Sequence, residues 1–232
     1  MNKYILALLL LIGCGQAIAQ DSTETRKTAF SKPKPLTERE KIDRFLKRYL
    51  STWDTCSNPK IKPQLYRGFE QLAVKDTNYW ITQYYAAFHL ALSTYMYIDS
   101  ASQEKWYDRA LMYADRAIAL QPKESESILL KGMILGMKIG ANPKLGSTLG
   151  PEALALYQEA KKLNPENPRV YLEIGESAFY TPAQYGGGKK IAVENLTTSL
   201  EKFKTFKYSD PLLPHWGEDR AKGMLEKAKK MK

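Results

Sequence analysis

The chain has 232 residues, a formal charge of +10, 44% apolar residues and two cysteines. It is long enough for one sizeable core or an elongated stack, too poor in cysteine for a disulfide framework, and without an apolar run long enough for a mature transmembrane helix. A basic balance attracts acidic partners or anionic headgroups, but a solvated basic face explains it first, and nucleic acid is excluded as a partner of an exported chain.

Taken in order, residues 1–19 read as a signal peptide: Lys3 precedes the apolar stretch YILALLLLIG, and Ala17-Ile18-Ala19 forms a small-x-small cleavage site. The run Leu11-Ile12-Gly13-Cys14 also resembles a lipobox, which would place a lipid on Cys14 and tether the protein to a membrane. Either processing route leaves Cys56 without an intramolecular partner. Residues 20–36 contain Pro33 and Pro35 and lack apolar periodicity, so they form a flexible leader. N-terminal helices are expected over 37–77. There Thr37-Glu38-Arg39-Glu40 is a capping box, followed at helical spacing by Ile42, Phe45, Leu46, Tyr49, Leu50 and Trp53. A second helical segment covers Pro63 to Val74.

From residue 78 helix follows helix, and the fold class is all-α. Ala110, Ala114, Ala117 and Pro122 have the same offsets as Ala153, Tyr157, Ala160 and Pro165, and a glycine stands ten residues after each proline, at Gly132 and Gly175. These spacings resemble the tetratricopeptide repeat (TPR), a helix-turn-helix unit of about 34 residues with small residues where its two helices meet. The resemblance covers about 78–205 and implies an α-solenoid of about three such units, with extra N-terminal helices before it and a C-terminal capping helix within 206–232. Gly132 and Gly175 lie further apart than the consensus period. The surplus falls in "ANPKLGSTLGP" and "TPAQYGGG", both expected as expanded turns between the two helices of a unit. A phosphate-binding loop is not supported at Gly186-Gly187-Gly188, because no strand precedes it and Lys190 stands where Ser or Thr is required.

Chemistry is sparse. His89 and His215 lie in no ligand pattern, no G-x-S-x-G elbow is present, and Cys56 has no histidine placed to activate it, so the chain is read as non-enzymatic, without metal or cofactor. TPR stacks bind peptides along first-helix residues. Here that implies a groove of Leu129, Met133, Met137, Arg169, Leu172, Glu176 and Tyr180, with Glu126 and Phe179 beside them. The family's carboxylate clamp is missing, since Glu176 replaces its asparagine and Glu173 a basic residue. The expected function is a protein- or peptide-binding adaptor, periplasmic or secreted in a Gram-negative bacterium, or an outer-membrane lipoprotein if Cys14 is acylated. Membrane contact would come only from that lipid or from weak basic-surface attraction. The alternative is a solute-binding or transport-accessory protein whose pocket is lined by Tyr84, Tyr85, Phe88 and Tyr180.

Overall fold

Thr37 caps the first described helix: its backbone N–H donates to Glu40 at 2.7 Å while the Glu40 N–H donates to the Thr37 hydroxyl at 3.2 Å, closing the capping box. The computed structural model describes residues 34–58 and 60–231; the expected signal peptide, most of the expected leader and Cys14 lie outside them. The described helices are α1 (Glu38–Thr55), α2 (Tyr66–Lys75), α3 (Trp80–Tyr97), α4 (Ser100–Leu120), α5 (Ser125–Ala141), α6 (Gly146–Leu163), α7 (Pro168–Tyr180), α8 (Lys189–Thr205) and α9 (Glu218–Lys229). No strand is found among the described residues.

The helices pair as antiparallel hairpins, α3 with α4, α5 with α6 and α7 with α8, and the hairpins stack side by side in a solenoid-like arrangement. α3, α5 and α7 form an inner row that α9 continues, while α4, α6 and α8 lie outside. Residue size sets the spacing. A Cβ added at Gly132 would stand 2.6 Å from the Tyr157 ring, and one at Gly175 would stand 2.7 Å from Leu196, so each hairpin closes where the glycine gives way to a large residue of its partner helix. Buried hydroxyls tie the two helices of a hairpin together: Ser125 donates to the Ala160 carbonyl at 3.0 Å, joining α5 to α6, and Ser199 to the Pro168 carbonyl at 2.8 Å, joining α8 to α7. α3 is apolar on nearly every side and buried along most of its length, as a helix enclosed by α2, α4 and α5 must be.

One expected loop is helical instead. The stretch 141–151 turns only at Asn142 to Leu145, and α6 already begins at Gly146 with Pro151 inside it. Pro151 is the sixth residue of α6 and forgoes one intrahelical N–H bond, and Leu149 packs on the core formed by α5, α6 and α7. The glycine run is a turn. Gly186 and Gly188 have φ of 87° and 97°, and the N–H groups of Gly186, Gly187 and Gly188 donate to the carbonyls of Ala183, Pro182 and Ala178. These amides are already used within the turn, which leaves no cradle of free N–H groups for an anion.

Candidate functional site

The inner row presents one helical face per hairpin, and the 3.6-residue period brings Tyr84, Phe88 and Tyr95 of α3 onto the same side as Glu126, Met133 and Met137 of α5 and Arg169, Glu173, Glu176 and Tyr180 of α7. This face has two tiers. Its first tier, at the N-terminal halves of the helices, is covered by the protein's own chain.

The connector 206–217, between α8 and α9, crosses that first tier as a strap. Tyr85 donates from its hydroxyl to the Leu212 carbonyl at 2.9 Å, and Trp216 Nε1 donates to the Tyr84 hydroxyl at 3.0 Å. The Trp216 indole lies nearly parallel to Phe88, centroids 5.2 Å apart at 20°. Its other neighbour is Arg169, 1% exposed, whose guanidinium donates from Nε and Nη2 to Glu126 at 2.6–3.0 Å and from Nη1 to the Tyr208 hydroxyl and the Trp216 carbonyl at 3.4 Å. The rings of Phe206, Tyr208 and Trp216 surround this cation at 5.4–5.7 Å. Asn167 donates to Glu126 at 2.7 Å and completes the carboxylate's coordination. Burial works against charge on Arg169, but the adjacent Glu126 carboxylate outweighs it and raises the guanidinium above its ordinary value. Burial, reinforced by Glu126, raises the Tyr84 hydroxyl well above its own.

Arg220, at the start of α9, separates the tiers. It pairs with Glu173 at 2.9 Å and Glu176 at 2.6 Å, and touches the Met133 sulfur at 3.7 Å. Glu173 is buried, and that burial raises its carboxyl above the usual range although Arg220 pulls it down.

Beyond Arg220 the face is open. Tyr95 is 66% and Tyr180 69% exposed, Met137 is half-buried, and Phe179 meets the Tyr180 ring edge-on. Partial burial, with Glu176 and Tyr95 adding to it, raises the Tyr180 hydroxyl above its ordinary value, so this phenol stays neutral. Of the seven residues assigned from sequence, Leu129, Met133 and Leu172 are buried, Arg169 is closed in its cage, Glu176 is ion-paired, and Met137 and Tyr180 reach the open tier. Tyr84, Tyr85 and Phe88 do meet, but beneath Leu212 and Trp216; Tyr180 stands apart from them. Sequence reasoning missed Tyr95 and Arg220. Tyr95 was within reach, because the same face register applied to α3 leads from Tyr84 and Phe88 to it.

Other features of the described residues offer less. A shallow depression on α4 is lined by Asp108, Leu111, Met112, Asp115, Arg116 and Ala119, and Asp108 and Asp115 are paired with Lys138 and Lys131. No group of three or more His, Cys, Asp or Glu among the described residues is placed to hold a metal ion. No described helix is long and apolar enough to cross a membrane.

No protein-family model and no curated protein matches this chain. Among solved structures it is similar to the HusA haemophore from Porphyromonas gingivalis, at 24% identity and a TM-score of 0.73, over 85% of this chain and 98% of that one. At this identity the likeness is one of fold. The MamA RS-1 ArsTM double mutant is also matched, over 69% of this chain and 96% of that one, but at 17% identity and a TM-score of 0.31, which carries no argument.

Proposed function

We propose that the chain is an exported, non-enzymatic binding protein of TPR type that captures a flat, largely apolar ligand of the porphyrin class on the open tier of its inner face. The observation that carries this is the open tier itself: Tyr95, Met137 and Tyr180, from three successive hairpins, give a short aromatic and thioether surface. Aromatic faces stack on a planar ring system, and phenol and thioether are side chains that also occur as haem-iron ligands. The fold shared with a haemophore over nearly all of that protein's length supports the same ligand class. His89 offers no imidazole to such a ligand, since it is 2% exposed in the core.

A peptide or protein partner is the second reading, favoured by the strap, a non-helical segment held on the inner face by side-chain donors to its carbonyls. It would use Leu129, Met133, Met137, Arg169, Leu172, Glu176 and Tyr180, and requires the strap to leave. Export, with or without a lipid on Cys14, belongs to the proposal; incorporation of labelled fatty acid that depends on Cys14 distinguishes the two forms.

The test is a visible-absorbance titration of the mature chain with haem. Wild type should bind, and Tyr180→Ala should weaken binding by roughly 5- to 150-fold, the equivalent of about 1–3 kcal/mol for a lost stacking face. Unchanged affinity in Tyr180→Ala and in Met137→Ala would place the ligand elsewhere.

A further inference from the structure

The strap does more than cap the stack. Its Trp216 ring fills a slot bounded by the nearly parallel Phe88 ring, 5.2 Å away, and by the Arg169 guanidinium, 5.7 Å from the indole centroid. A parallel ring gains from stacking on the first wall and from cation–π attraction to the second, so the slot selects planar π systems. The Tyr84 hydroxyl at its edge is the hydrogen-bond partner of the ring now in place. Phe88 lies two helical turns, about 10.5 Å, from Tyr95 along α3, so slot and open tier lie on one continuous face with Arg220 between them.

The ring that fills the slot is not locked by regular structure. Residues 206–217 hold no helix, and Trp216 itself is only half-buried, whereas Leu212 and Pro214 are buried and keep the strap anchored.

We propose that the slot between Phe88 and Arg169 is the inner half of the ligand site, that Trp216 is its resident placeholder, and that a flat aromatic guest enters by displacing this ring. This rests on the reading of the chain as a binding protein for a flat ligand. In the guest-free protein the indole competes for the slot, which lowers apparent affinity by the fraction of molecules in which the slot is closed. Removing the competitor should tighten binding; weakening its anchor should do so less.

The test is titration of the mature full-length chain with iron-free protoporphyrin IX, followed by absorbance, for wild type, Trp216→Ala, Trp216→Phe, Tyr85→Phe and Tyr180→Ala, each with a thermal melt. Trp216→Ala should bind about tenfold or more tightly than wild type, and Trp216→Phe close to wild type. Tyr85→Phe removes only the donor to the Leu212 carbonyl, keeps the fold, and should tighten binding by roughly 2- to 10-fold. Unchanged or weaker binding in Tyr85→Phe and in a cooperatively melting Trp216→Ala, with wild-type binding that depends on Tyr180, overturns the slot and leaves the binding-protein reading in place. No binding by wild type or any variant overturns both.

Discussion

His89 is the residue whose surroundings are most at odds with its chemistry. It stacks on Phe69 at 3.8 Å and lies beside Trp53, Tyr85 and Phe88, and neither ring nitrogen has a hydrogen-bond partner among the described residues. Burial, with Lys62 adding to it, holds the imidazole well below its ordinary value of 6.5. The sign follows from linkage: as pH falls below 6.5 the unfolded chain takes up a proton that the folded chain refuses, so stability is lost with falling pH until the folded imidazole titrates. Glu173, raised by burial, acts in the opposite sense, losing stability as pH rises above its unfolded value of 4.5. A comparison of wild type with His89→Leu cancels that contribution. Between pH 6.5 and 5 the difference in unfolding free energy should shift in favour of leucine by up to about 1.4 kcal/mol per pH unit. Parallel stability curves from denaturant melts would show that the imidazole is solvated after all.

At the scale of elements, the hairpins depend on glycine where helices touch and gain nothing from it where they do not. An alanine at Gly175 would set its Cβ 2.7 Å from Leu196 Cγ and 3.1 Å from the Leu196 backbone nitrogen, so α7 and α8 would have to part. Gly223, inside α9, has open space where a Cβ would stand, with nothing within 4 Å, and alanine there should only gain helix propensity. Gly175→Ala is expected to destabilise by about 1–3 kcal/mol and Gly223→Ala to stabilise by up to about 1 kcal/mol, read from the same denaturant midpoints. Equal signs would mean that propensity, and not close packing, governs these helices. The strap lives at this scale too: it joins α8 to α9 but takes its contacts from α3, α5 and α7, which is why no short stretch of sequence announces it.

Across the whole molecule, the repeat was legible because it is written locally. The recurring Ala, Gly and Pro spacings fix where two helices of a hairpin meet, and those contacts lie within one unit. The Thr37 capping box was legible for the same reason. The helical character of Gly146 to Pro151 was not, since glycine and proline read as a loop until Leu149 finds the core of the neighbouring helices. The site was the least legible. A groove rule assigns Arg169, Leu129 and Leu172 to an open surface, but Arg169 is closed over by residues 206–217, far away in sequence, while Leu129 and Leu172 are taken up by the cores between neighbouring helices.

Everything proposed for binding requires that ligand meet the inner face, at the ends of α3, α5 and α7, next to the strap. Amide hydrogen exchange of the full chain with and without saturating protoporphyrin IX reads this contact along the whole backbone. Exchange should slow in 92–97, 137–141 and 176–181, change in 206–217, and stay the same along α4 and α6. Protection confined to those outer helices would put the ligand on the wrong side of the stack and refute the inner-face site.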